Sequence, residues 1–242
     1  MKHFINQEML APNVLTVPVD MDVIGEFVEL ADTAESDPEY CTLRPTWKSD
    51  IRWISPESGA TFDRFQSAFD RLDVARHVRQ YLDLDSDPRL YAGFLHTRSE
   101  CTDANFHVDW MLTNNEAFTM LAPVCGFGDG QKLLYKKMTG DIAEYEYRPG
   151  EAIVFGDHFI HSTPPGSFDP PFTLLVFNFG TDKMEHWDKI MATTGKQCRL
   201  IQRPDGRLDT LRWSDESSWT IRPYLRENDR GREQVGAEVR GS

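Results

Sequence analysis

Apolar residues recur at helical spacing in two N-terminal stretches. Over residues 20–34, Val23, Ile24, Phe27, Val28, Leu30 and Ala31 share one stripe behind Asp20 and Asp22, acids that suit the positive end of a helix. Over Thr61–Leu82, Phe62, Phe65, Phe69, Leu72, Val78 and Leu82 return at intervals near three and four, and Asp63, Arg64, Asp70, Arg71 and Arg79 fill the opposite face. Both stretches are expected to be amphipathic helices. Between them, residues 35–59 carry Pro38, Pro45 and Pro56 interleaved with Arg44, Trp47, Lys48, Arg52 and Trp53, the texture of a long ordered loop.

After Pro88 the period shortens to that of strands. Eight runs follow, Leu90–Thr97, Asn105–Trp110, Ala117–Val124, Lys132–Met138, Ala143–Tyr147, Glu151–Phe155, Phe159–Ser162 and Phe172–Phe179. They are divided by turn-forming pairs such as Asp129-Gly130 and Pro149-Gly150. Eight short strands with close turns predict an α+β, mainly β protein: a double-stranded β-helix, or jelly roll, with N-terminal helices packed against it. A further helix is expected over 182–192, with Asp182 and Glu185 spaced as a capping box and Gly195 just beyond its end. The expected organisation is one domain over 1–222, helical over 1–88, β over 89–180 and a helix with an extension over 181–222. Residues 223–242 read as a flexible tail.

Composition narrows the partners rather than the fold. The chain of 242 residues has 40% hydrophobic and 27% charged residues, an ordinary globular balance. With 26 Lys+Arg against 39 Asp+Glu its formal charge is −13, a field that repels phosphate backbones and anionic lipid. No nucleic-acid or membrane partner is expected. The stretch from Arg203 to Ser242 is balanced in charge, so the acidic excess belongs to the preceding body. Cys41, Cys101, Cys125 and Cys198 form no CxxC pair and no apolar run reaches membrane-spanning length, which fits a reduced, cytoplasmic protein.

The candidate chemistry lies in His107-Val108-Asp109 on the second expected strand and His161 on the seventh. Residues i and i+2 of a strand face the same way, so His107 and Asp109 can converge, and a returning strand can add His161. Two imidazoles and one carboxylate make a facial triad, which leaves open positions on an octahedral Fe(II) for a chelating substrate and O2. His158, three residues before His161, falls on the other face and competes with it for the third position. His96, on the first strand, reads as a packing residue.

These residues, with the Pro149-Gly150-Glu151 turn that leads through Phe155 to His161-Ser162, resemble the Fe(II)/2-oxoglutarate-dependent oxygenase superfamily, in texture its phytanoyl-CoA-hydroxylase-like branch. The resemblance covers about residues 90–180. It implies that His107, Asp109 and His161 hold Fe(II), that 2-oxoglutarate and O2 are co-substrates, and that 2-oxoglutarate is decarboxylated to succinate as a substrate C–H bond is oxidised. Asp109 stands where the halogenating members have a small residue, so hydroxylation, desaturation or ring closure is implied over chlorination.

One departure concerns the far carboxylate of 2-oxoglutarate. Most members place an arginine about ten residues or slightly more beyond the distal histidine, on the last strand, but Pro170–Asn178 holds no basic residue. The asparaginyl-hydroxylase and Jumonji-type members use a fourth-strand lysine. Alternation here puts Leu133, Tyr135 and Lys137 on the more apolar face, which makes Lys137 the expected inward cation, with Lys136 as the competing choice and Tyr135 and Thr173 as added hydroxyls. Arg44, Trp47, Trp53, Arg98 and Trp110 are the candidates for the substrate, a small polar metabolite such as an amino acid or derivative. The runners-up are a protein or peptide hydroxylase of the same superfamily and a metal-binding jelly roll without 2-oxoglutarate chemistry.

Overall fold

A computed structural model describes residues 3–43, 50–128, 131–213 and 219–224. The chain opens with β1 (Ile5–Asn6), β2 (Ala11–Pro12) and β3 (Val14–Pro18), then α1 (Met21–Gly25), α2 (Val28–Thr33), β4 (Tyr40–Leu43), β5 (Ile51–Pro56) and α3 (Gly59–Leu72). The central strands are β6 (Arg89–Cys101), β7 (Ala117–Cys125), β8 (Lys132–Lys136), β9 (Ile142–Glu146), β10 (Glu151–Phe155), β11 (His161–Ser162) and β12 (Gly166–Gly180). They are followed by α4 (Trp187–Thr194) and by β13 (Leu200–Gln202), β14 (Leu208–Trp213) and β15 (Trp219–Pro223).

A seven-stranded sheet runs β3-β10-β7-β12-β6-β5-β4, and a three-stranded sheet, β11-β8-β9, faces it. All pairings in both are antiparallel. Strand alternation divides the large sheet into two apolar faces. From β12, Leu175, Phe177 and Phe179 pack with Phe27, Phe62, Phe65 and Phe69 of the helical layer. Leu174 and Val176 point the other way, toward Leu133 and Tyr145 of the smaller sheet and Phe159 just before β11. Each fully buried Phe or Leu contributes about 1.5–3 kcal/mol of transfer free energy, so a sheet buried on both faces is the main source of stability. Gly93 allows the helical layer its close approach: a Cβ there would lie 2.6 Å from that of Phe65.

The mainly β, double-sheet roll with helices on one side is the architecture expected from the sequence. Several elements differ from expectation. The 20–34 helix is broken into α1 and α2 next to Gly25, a poor helix former, and Phe27 enters the core at the break. The helix expected to reach Leu82 starts on a capping box formed by Ser58 and Thr61 and stops at Leu72, because Asp73 adopts the left-handed conformation (φ 47°). Two short 3-10 turns cover the rest.

Residues 35–59 are not a loop throughout, since β4 and β5 pair with each other and β5 extends the sheet beyond β6. With β3 at the opposite edge, three strands from the N-terminal 88 residues join the sheet, so this part is not simply helical. Asn105–Trp110 is no strand; it makes only a bridge at His107. The expected capping box at Asp182 is absent, because that carboxylate instead accepts from the N–H groups of Asp85 and Ser86. The helix begins at Trp187 after a 3-10 turn over Met184–His186 and ends at Thr194, with Gly195 as its C-cap, as expected. Most of the expected tail, from residue 225 on, lies outside the described residues. No helix among the described residues is long and apolar enough to cross a membrane.

Candidate metal centre

His107 and His161 are held face to face by backbone pairing. Each N–H donates to the other's carbonyl at 3.0 Å, and directly opposed residues of an antiparallel pair project to the same side. Their ring centroids lie 4.5 Å apart. Asp109 follows at a bend, where Thr193 of α4 donates its hydroxyl to the Asp109 carbonyl at 2.6 Å. This places Asp109 Oδ1 3.6 Å from His107 Nε2 and 3.8 Å from His161 Nε2. The three ligand atoms all lie within 4.8 Å of one another. Two ligands on one ion at ~2.1 Å are at most ~4.2 Å apart, so the two carboxylate–imidazole pairs fit a shared ion without backbone movement.

Both rings present a bare Nε2. His107 Nδ1 lies 2.8 Å from the Asn105 carbonyl and His161 Nδ1 3.2 Å from that of Phe159. A carbonyl only accepts, so Nδ1 carries the proton in each and the lone pair of the neutral ring is on Nε2. Burial, partly offset by Asp109, pushes the His161 pKa down to about 4. That ring is therefore neutral at pH 7 and able to bind a cation.

The carboxylate is oriented from behind. Trp110, fully buried, donates its indole N–H to Thr119 Oγ1 at 2.9 Å, and the Thr119 hydroxyl donates to Asp109 Oδ2 at 2.9 Å. Thr119→Val keeps the shape and removes both bonds. We expect metal affinity to fall roughly 10–100-fold, the usual cost of losing a group that orients a ligand. We also expect a loss of about 1–3 kcal/mol of stability from the orphaned indole N–H. A Mn(II) titration and a thermal melt would check these; unchanged metal affinity would remove Thr119 from the site.

The triad opens into a cavity of about 110 Å3 between the two sheets. Ile51, Trp53, Phe94, Leu133, Leu174 and Val176 supply apolar wall, and His96, Arg98, Asp103, Asn105 and Gln197 supply polar groups. Of the substrate candidates, Trp53 and Arg98 line it. Trp110 does not, being spent beneath Asp109; Arg44 and Trp47 lie outside the described residues.

None of the four co-substrate candidates borders the cavity. β8 ends at Lys136, and Lys137 enters the turn in which its N–H donates to the Asp141 carbonyl, which takes it out of the alternation that would aim it inward. Lys136 extends over the Phe106 ring. Tyr135 is stacked on Phe159, and Thr173 faces the opposite side of β12, 2.9 Å from the hydroxyl of Thr97. His158, with φ 68°, approaches His3 rather than the triad.

Thr119 and His96 were not anticipated as site residues. His96 shares strand parity with Arg98, which is the one signal that could have found it. Burial, then the Arg98 charge, pushes its pKa down to about 3, and its Nε2 is buried without a hydrogen-bond partner among the described residues.

No protein-family model matches the sequence and no curated protein does. Solved structures do match in fold. HygX from Streptomyces hygroscopicus, crystallised with nickel and 2-oxoglutarate, aligns over 74% of this chain and 88% of its own, with a TM-score of 0.54 and 12% identity. The 2-oxoglutarate-dependent epimerase SnoN of nogalamycin biosynthesis aligns over 70% and 79%, with a TM-score of 0.52 and 11% identity. A prolyl hydroxylase from Trichoplax adhaerens, in complex with a peptide fragment, aligns over 69% and 83%, with a TM-score of 0.51 and 8% identity. The fold of this chain is that of the Fe(II)/2-oxoglutarate oxygenases.

Proposed function

We propose that the protein is a non-haem Fe(II)- and 2-oxoglutarate-dependent oxygenase that oxidises a small polar metabolite. The observation that carries this reading is the triad His107, Asp109 and His161, with both Nε2 lone pairs and one carboxylate oxygen converging at the cavity. Two neutral imidazoles and one carboxylate suit a divalent ion and leave other positions open to exchangeable ligands. Fe(II), when bound, supplies the reduction of O2 coupled to the decarboxylation of 2-oxoglutarate to succinate and CO2.

The chain's own residues do the rest. The backbone bridge between His107 and His161 fixes the angle between the rings, and Thr119 fixes the carboxylate. Ile51, Trp53, Leu133, Leu174 and Val176 form an apolar wall of the cavity beside the triad, while the half-exposed His107 leaves its other side open to solvent. A small substrate is favoured by the size of the cavity, and the fold match supports the same direction: HygX has been crystallised with hygromycin B, and SnoN with nogalamycin RO.

The test is anaerobic addition of Fe(II) and then 2-oxoglutarate. The expected result is the weak visible charge-transfer band of a 2-oxoacid chelated to Fe(II), followed by slow succinate release once O2 is admitted. Stoichiometric Fe(II) uptake with no band would overturn the 2-oxoglutarate reading.

A further inference from the structure

We propose that Arg98 and His96 on β6 receive the far carboxylate of 2-oxoglutarate, in place of any lysine of β8. The assignment rests on the oxygenase reading above and concerns how that site holds its co-substrate.

The register of β6 against β12 carries the argument. Arg98 pairs with Phe172, His96 with Leu174 and Phe94 with Val176. Directly opposed residues share a face, and Phe94, His96, Arg98, Leu174 and Val176 all line the cavity. Phe172 stands eleven residues beyond His161, so β12 offers a phenyl ring where a cation would serve, and the adjacent strand supplies a guanidinium directly across from it. Arg98 is the one lysine or arginine among the described residues that line the cavity.

The Arg98 side chain is 8% exposed and already aimed. Asp50 Oδ2 and the Glu100 carbonyl both accept from its Nε at 2.8 Å, and these are the hydrogen bonds that reach it from described residues. Fastening a guanidinium through Nε directs its two terminal nitrogens elsewhere as a fork, the geometry that binds a carboxylate at two points. His96, two residues earlier on the same face, contributes the buried Nε2 that has no hydrogen-bond partner among the described residues. A buried polar atom left unpaired is costly, and a ligand oxygen would satisfy it. His96 and Arg98 share the cavity with all three triad residues, and along β6 His96 stands two residues from the guanidinium on the same face. A dicarboxylate chelating at the triad and extending along β6 would pass His96 and end at Arg98.

The β8 lysines are engaged elsewhere. Lys132 pairs with Glu144 at 2.6 Å, Lys136 covers Phe106, and Lys137 sits in the turn beyond the strand. The Asp50 partner makes the Arg98 subsite nearly neutral overall, so recognition there depends on hydrogen-bond geometry more than on net charge.

The experiment is an anaerobic calorimetric titration of Ni(II)-loaded protein with 2-oxoglutarate and, separately, with pyruvate, which has the chelating 2-oxoacid end and no far carboxylate. Arg98→Gln is expected to weaken 2-oxoglutarate roughly 10–100-fold, the loss expected for a two-point charged hydrogen bond, and to leave pyruvate unchanged. Arg98→Lys, which keeps the charge and loses the fork, should fall between, and it serves if the glutamine variant does not fold. Lys137→Ala should change neither affinity. Retained 2-oxoglutarate selectivity in Arg98→Gln, or its loss in Lys137→Ala, would overturn the assignment alone. Wild-type protein that takes up metal and binds neither oxoacid would overturn the oxygenase reading and this assignment with it.

Discussion

Asp109→Ala is expected to lower Fe(II) affinity by more than the roughly 10–100-fold that changes behind a metal ligand cost, and to abolish the 2-oxoglutarate charge-transfer band. Asp109 is the one anion of the triad, and its Oδ1 lies within 4 Å of both imidazole Nε2 atoms. Without it, two neutral rings face a divalent ion with no charge compensation. The fold should tolerate the change. The lost acceptor leaves the Thr119 hydroxyl free to turn to Asn178 Oδ1, 3.2 Å away, so no buried donor is orphaned and the stability cost is about 1 kcal/mol. Asp109→Asn keeps the shape, loses the charge and should fall between. Anaerobic Fe(II) titration beside a thermal melt separates the two effects; wild-type Fe(II) affinity in the alanine variant would exclude Asp109 as a ligand.

The triad was legible because His-x-Asp and a distant histidine were the chemistry-bearing residues nearest the strand pattern, yet the reason they meet differs from the one the pattern suggests. Parity along a strand would bring His107 and Asp109 together, but residues 105–110 make only a bridge at His107, and Asp109 reaches its position through a bend held by Thr193 and Thr119. Both of those partners come from distant segments, which spacing within the motif does not reveal. The central strands were legible for a simpler reason: β7, β10 and β12 are apolar on both faces and are bounded by turn residues.

β4 and β5 were hidden because Pro38, Pro45 and Pro56 mimic a loop, although Ile51, Trp53 and Ile54 are good strand formers and are buried. The inward lysine failed at a strand end. Alternation predicts a direction only while the strand lasts, and β8 stops one residue before Lys137. Arg98 was singled out from the sequence for the substrate and not for the co-substrate, because the role proposed for it depends on which residue lies across from it, and register between two strands is not written in either one.

Asp157→Ala should have the largest effect on stability, although Asp157 touches no proposed ligand. Its carboxylate accepts from the Thr113 hydroxyl at 2.5 Å and from the Asn115 N–H at 3.3 Å. Its own N–H donates to Asn115 Oδ1 at 3.1 Å, and its carbonyl accepts from Asn13 Nδ2 at 2.7 Å. Asn115 Nδ2 closes the ring on Asn13 Oδ1, and all four residues are buried. Only glycine fits beside this network at position 156, where a Cβ would lie 2.3 Å from Asn115 Oδ1. The network ties Asn13, between β2 and β3, to the segment after Trp110 and to the turn before His161, and His158 N–H adds a bond to the Trp110 carbonyl at 3.2 Å. Alanine would strand two buried donors, at about 1–3 kcal/mol each, so a loss of about 3–5 kcal/mol is expected in denaturant unfolding. Asp157→Asn, which retains one acceptor, should cost about half as much on the same reasoning. Because the same turn carries His161, metal affinity in the alanine variant should fall as well, even at temperatures where the protein remains folded. A destabilisation under about 1 kcal/mol would mean that water replaces the carboxylate, and that the His107–His161 bridge alone sets the spacing of the ligands.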